Sequence, residues 1–204
     1  MRLSYTAMKE YALTQLGRNK WGEAVGLCLV YGLISGIASI VPLGSLVVGG
    51  PLTLGMTSYF LLLSRNQNPT FNNLFSGFQN FGNAFLAMLL MTLVILLGFI
   101  LLIIPGCIFA LGLSQTFRVM HDEPQISAVD AMKKSWEIMK GHKGDYFIFN
   151  LSFIGWAFLC ILTVGIGFLF LIPYINASNA KFYDEITGRG TEEIDSIGQD
   201  LGRI

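Results

Sequence analysis

The sequence predicts an all-α polytopic membrane protein of six transmembrane helices, arranged as three hairpins, each preceded by an amphipathic interfacial helix. Three observations carry this prediction. The 204 residues are 53% hydrophobic and only 13% charged, with a mean hydropathy of +0.59, which leaves a water-soluble globule too little polar surface. Long apolar runs alternate with shorter segments whose apolar and polar residues separate at helical spacing. All 13 Lys and Arg fall at the run ends that six crossings place on one side, and the three opposite turns hold none.

Residues 3–20 read as an interfacial helix, and Trp21 marks the membrane boundary. The first span, 22–41, ends at the turn Val41-Pro42-Leu43-Gly44. The second runs from about Ser45 to Leu63, where Gly49-Gly50-Pro51 predicts a kink or a longer turn. In residues 71–81, α-helical spacing groups Phe71, Leu74, Phe75, Phe78 and Phe81 opposite Asn72, Asn73, Ser76, Gln79 and Asn80, an uncharged interfacial helix. The third span, Asn83 to Ile104, has Thr92 as the one polar residue of its apolar stretch and turns at Ile104-Pro105-Gly106. The fourth, 107–120, becomes polar at Ser114-Gln115-Thr116 and closes with Arg118.

The segment Ile126–Trp156, on which the rest of the chain hangs, reads as a charged amphipathic helix, a glycine break and then an almost wholly apolar run. Ser127 and Asp130 form a capping-box pattern. Val129, Met132, Trp136 and Met139 then recur on one face against Lys133, Lys134, Glu137 and Lys140, and Gly141 stands where a helix C-cap needs positive φ. Such a helix suits the membrane interface or the protein's own polar surface equally. A fifth span, 146–163, a turn over Thr163–Gly167 and a sixth span to about Asn179, bent at Pro173, complete the set. The acidic tail begins at Lys181 and is expected to be mobile beyond Gly188. Residues 1–188 thus form one membrane domain, with units at about 3–64, 71–120 and 126–183, and residues 189–204 are a cytoplasmic tail.

The units share a faint grammar. Ala7-Met8-Lys9 precedes Gly17, and Ala131-Met132-Lys133 precedes Gly141, by the same ten residues, while Gly82 follows the middle amphipathic helix. All three units enter from one side, as parallel repeats do. Small residues that permit close helix approach, Gly22/Gly26 and Gly32/Gly36, lie in the first span.

From Pro105 onward, the stretches PGCIFAL (105–111), SAVDAMKKSWEIMKGHK (127–143), LSFIGW (151–156), TVGIG (163–167), IPY (172–174) and KFY (181–183) resemble a family of bacterial integral membrane proteins known as domain of unknown function 975. The family is distantly similar to the membrane region of some glycerophosphodiester phosphodiesterases. The resemblance implies a bacterial plasma membrane location and the hairpin fold, and it implies no reaction and no catalytic residues. Positive-inside asymmetry places both termini in the cytoplasm.

The chemistry the residues allow is binding. The interiors of the spans carry no Asp, Glu, Lys, Arg or His, the groups that build proton relays. His121-Asp122-Glu123 is too local to converge on a metal and reads as a solvated turn before Pro124. His142 beside Lys143 reads as a helix-end cation. Cys28, Cys107 and Cys160 lie in apolar runs without CxxC spacing and read as packing residues. The neutral net charge predicts no nucleic-acid partner, and no motif predicts a cofactor, a metal or an enzymatic activity.

What remains is polar decoration at the inner leaflet. Ser114, Gln115, Arg118, Asn179 and Lys181, with Lys133, Lys134, Lys140 and Lys143, can line a cytoplasm-facing groove for an anionic head group, Arg118 being the natural phosphate ligand. The alternative is that they only terminate helices and snorkel. The expected function is binding of anionic lipid or of a membrane-active peptide or protein partner. The other expectation is a transporter or export component for a hydrophobic or peptide substrate.

Overall fold

The computed structural model describes residues 5–17, 20–40, 44–101, 103–163 and 165–189. Among these every regular element is helical: α1 (Tyr5–Gly17), α2 (Trp21–Ala38), α3 (Gly44–Ser64), a 3-10 helix (Phe71–Asn80), α4 (Phe81–Leu101), α5 (Ile103–Leu113), α6 (Thr116–Asp122), α7 (Ala128–Ile138), α8 (Lys143–Leu151), α9 (Ile154–Leu162) and α10 (Phe168–Ile186). Among the described residues five stretches are long and apolar enough to cross a membrane: Trp21–Ala38, Leu46–Ser64, Phe71–Ile100, Ile103–Asp122 and Lys143–Leu162. Helices α2, α4, α5 and α9 turn large aliphatic side chains outward, among them Ile37, Ile100, Ile103 and Leu162. An apolar exterior on that scale belongs in hydrocarbon, and the protein is a multi-pass membrane protein.

The centre of the packing is α3, not the Ile126–Trp156 segment that dominates the sequence. It touches α1, α2, α4, α6, α10 and the 3-10 helix, and buries Leu52, Tyr59, Phe60 and Leu61 completely or nearly so. Glycine explains how neighbours come so near. A β-carbon at Gly50 would lie 2.4 Å from the Ala84 carbonyl oxygen. The Gly49-Gly50-Pro51 sequence therefore serves close approach, and α3 runs through Pro51 without the longer turn its sequence suggests. A second core joins α1 to α8–α10 through Met8, Phe149, Phe153, Leu171 and Phe182, with the Phe149 and Phe182 rings stacked at 5.5 Å.

Other boundaries also move. The turn expected at Ile104-Pro105-Gly106 is the first turn of α5, where proline loses no helical hydrogen bond. The predicted turn at Pro42 and the tail from residue 190 onward lie outside the described residues. The fourth span breaks between α5 and α6, where Ser114 Oγ and Thr116 Oγ1 donate back to the carbonyls of Leu111 and Leu113 at 2.8 and 2.7 Å. The fifth breaks between α8 and α9, where Ser152 turns its hydroxyl to the Phe149 carbonyl. Helix α10 does not stop near Asn179: it continues to Ile186 and buries every residue from Ala177 to Asp184. It is not among the five apolar stretches.

The caps follow the sequence. Ser127 Oγ accepts from the Asp130 amide at 3.2 Å and donates to its carboxylate at 2.7 Å, which also draws the Asp130 pKa down. Gly141 has φ +91° after α7, with open space around it. Gly141→Ala is expected to cost about 1–2 kcal/mol through backbone strain alone. Gly144, in the first turn of α8 and equally open, is the control: Gly144→Ala should be neutral or stabilising. Unfolding midpoints in mixed micelles that shift alike for both would refute the strain argument.

Candidate functional site

The structure sends the nine sequence-predicted residues to three places. Ser114, Gln115 and Arg118 lie at the α5–α6 break. Gln115 is fully buried, its backbone N–H donates to Ser135 Oγ at 3.2 Å, and Ser135 Oγ donates to the Gly112 carbonyl at 2.8 Å, tying α7 to the break. Arg118 is buried with them. Its Nη1 donates to Gln115 Oε1 at 2.7 Å, while its buried Nε has no hydrogen-bond partner among the described residues. It stands inside the protein beside a neutral amide rather than on an open groove wall.

Asn179 and Lys181 belong to α10 and face other helices. Asn179 Nδ2 donates to Asn150 Oδ1 at 3.4 Å, and Lys181 Nζ lies 4.1 Å from the centre of the Tyr11 ring and 3.7 Å from Glu185.

The lysines of the α7 region form the third group. Lys134 pairs with Glu123, Lys133 lies 3.5 Å from Asp130, and Lys140 is exposed just past the helix end. Lys143 Nζ lies 3.1 Å from the centre of the Trp136 ring, a cation–π contact. The two faces of α7 have separate work. Ala128, Ala131 and Ser135 pack inward, whereas Val129, Met132 and Trp136 line an apolar groove of about 450 Å³ with Leu90 and Val94 of α4 and Phe109 and Leu113 of α5. Lys133 and Glu137 stand on its rim. Trp136 reaches its place because residue 112 is glycine: a β-carbon there would lie 2.3 Å from the indole. An open apolar slot with lysines beside it can take an acyl chain and an anionic head together.

A buried charge cluster escaped the sequence reading. The Arg65 guanidinium, just past α3, spans Asp122 at 2.7 Å and Asp184 at 2.9 Å, whose side chains are only 3% and 4% exposed. Tyr183 Oη donates to Asp122 at 2.7 Å, Arg189 pairs with the same carboxylate, and Ser64 Oγ donates to Asp184. Burial opposes the charge on Arg65, but Asp122 and Asp184 outweigh it and hold its pKa above the ordinary arginine range. The three consecutive residues of the predicted solvated turn diverge: His121 to Ser58 at 2.8 Å, Asp122 to Arg65, Glu123 to Lys134. Among the described residues no cluster of His, Cys, Asp and Glu can hold a metal ion.

In the sequence this cluster shows only as charges near three span ends, Arg65, Asp122 and Asp184, and charge at a span end is common enough to pass as flank. No curated protein and no solved structure matches this chain. Residues 3–110 and residues 98–190 both match the family described as Protein of unknown function (DUF975). These stretches cover nearly the whole 204-residue chain, which therefore belongs to the DUF975 family.

Proposed function

We propose that the protein is a non-enzymatic membrane protein of the bacterial plasma membrane that binds an anionic lipid at the cytoplasmic leaflet. In this reading α10 is the sixth span, the six pair as three hairpins, and both termini are cytoplasmic, as the one-sided distribution of Lys and Arg favours. The observation that carries the lipid is the apolar groove of α4, α5 and α7 with Lys133 on its rim and Lys143 on Trp136. The slot matches an acyl chain, and Lys133, Lys140 and Lys143 supply the positive charge for a phosphate. Arg118, buried against Gln115, has a structural part in this reading.

Each lysine near an anionic head contributes about 1 kcal/mol. Lys133→Gln/Lys140→Gln/Lys143→Gln is therefore expected to weaken anionic lipid retention by about 100-fold and to leave zwitterionic lipid unchanged. Native mass spectrometry of the full chain, extracted in mild detergent from its own membranes, reads this directly. Trp136, kept as the only tryptophan by Trp21→Phe and Trp156→Phe, should be quenched by phospholipid brominated along its chain. Retention of a stoichiometric peptide or protein without lipid, or equal retention of neutral and anionic lipid, would overturn the proposal.

A further inference from the structure

A second pocket, sharing no residue with the lipid groove, opens between α3, the 3-10 helix and the connection from α6 to α7. It measures about 510 Å³, within the range of about 300–1,000 Å³ usual for small-molecule sites. We propose that it binds a neutral, hydroxyl-rich ligand: a sugar, either free or as the head group of a glycolipid.

The wall that makes this site is a consequence of 3-10 geometry. With three residues per turn, side chains three apart stand in one column. Leu74 and Gly77 form the buried column against α3. Phe75, Phe78 and Phe81 form an exposed column, their rings 6.4 and 6.3 Å apart in succession. Asn73, Ser76 and Gln79 form the third column, and all three line the pocket. An amphipathic helix that only needed to lie at the interface has no use for a third, separately polar side.

The groups on offer are hydrogen-bonding and uncharged. Gln79 and, from the opposite wall, Gln125 have carboxamides with no hydrogen-bond partner among the described residues. Asn80 gives Nδ2 to the Pro124 carbonyl at 2.7 Å and keeps Oδ1 as an acceptor. Ser58 Oγ already donates to the Leu54 carbonyl at 2.8 Å, so across its 2.8 Å contact with His121 Nδ1 the ring is the donor. In the neutral ring this fixes the tautomer and leaves Nε2 an acceptor. Alternating amide donors and acceptors suit hydroxyls, which both give and accept, while Leu54, Met120 and Pro124 offer apolar surface to the C–H face of a ring.

Ionic ligands find no counter-charge. Among the described residues no Asp, Glu, Lys or Arg lines the pocket. The nearest carboxylates in sequence are already engaged, Asp122 by Arg65 and Arg189, and Glu123 by Lys134. The walls are also fixed before any ligand arrives. A β-carbon at Gly77 would meet the Pro51 carbonyl at 2.0 Å, so the 3-10 helix sits directly on α3. Asn80 and Asn83 hold the far wall through the Pro124 and Ile126 carbonyls.

The test uses the full chain in nanodiscs and the exposed pair Gln79→Leu/Gln125→Leu, with Gln79→Asn as a milder variant that keeps the amide. Saturation-transfer NMR with glucose, galactose and N-acetylglucosamine reads free sugar. Native mass spectrometry with monoglucosyl diacylglycerol against diacylglycerol and phosphatidylglycerol reads the membrane-borne source. At least tenfold weaker binding in the double variant, with Lys133→Gln/Lys143→Gln unchanged, supports the site. Binding of the glycolipid alone identifies the head group as the source, and binding of sugar in both forms or of free sugar alone identifies a pocket open to water. No preference for any sugar over diacylglycerol, binding indifferent to Gln79 and Gln125, or equal competition by phosphatidylglycerol would overturn it.

Discussion

Arg65→Ala is expected to destabilise the protein by about 3–5 kcal/mol, the usual cost of removing one partner from a buried ion pair. The reason is what the substitution leaves behind. Asp122 and Asp184 are 3% and 4% exposed in their side chains, and Arg65 is the residue that serves both. Tyr183, Ser64 and Arg189 remain, but each reaches only one of the two carboxylates, and the charge that bridged Asp122 to Asp184 is gone. Arg65→Lys keeps the charge and loses the fork that spans two acids, so it should fall between wild type and alanine. Adding Asp122→Asn and Asp184→Asn to Arg65→Ala should recover part of the loss, because the uncompensated charges go with the arginine. Unfolding in mixed micelles measures the series. An Arg65→Ala protein within about 1 kcal/mol of wild type, the value of an exposed pair, would sink the account.

Gly55→Ala should be comparably damaging for a reason that has nothing to do with charge. A β-carbon on Gly55 would stand 1.8 Å from the Leu74 carbonyl oxygen and 3.0 Å from that of Asn73. Both obstacles are backbone, so no rotamer change relieves the clash. The 3-10 helix must lift from α3, at a cost at or above the upper end of the roughly 1–3 kcal/mol seen for overpacking. Its departure should also expose the connection from Ser64 to Thr70 to protease. Gly26→Ala, on α2 with open space at its β-carbon, is the matched control and should stay near wild type. Equal unfolding midpoints for the two variants would remove the argument for a glycine-dependent contact.

Much of this architecture can be read from local pattern. The Ser127 cap, the Gly141 C-cap and the turn at Gly165 appear where their residue types require them, since each depends on only a few neighbouring residues. The apolar stretches were legible for the same reason. Three other features were not. Residues 71–80 carry a period-3 arrangement, and read at 3.6 residues per turn they place Leu74 with the phenylalanines, whereas the structure buries it and exposes them. Helix α10 mixes Asn, Ser, Lys and Asp into an apolar helix, and its burial from Ala177 to Asp184 is set by partners far away in the chain. The candidate binding residues were legible only as a list. Lys143 sits on Trp136 and Lys133 lines the same groove, but nothing local announces that Arg118 turns inward to Gln115 or that Asn179 and Lys181 face different helices.

The Arg65 clasp also bears on the order in which the protein is made. Ribosomes deliver the chain from its N-terminus, and Asp184 lies 119 residues after Arg65. The central helix α3 is therefore synthesised long before α10, which covers part of it and brings the second carboxylate. Until then α3 is an unfinished scaffold whose arginine has at most half its partners. Assembly is thus closed from the C-terminal end, and a nascent chain stopped before Asp184 should be the form that quality-control proteases remove.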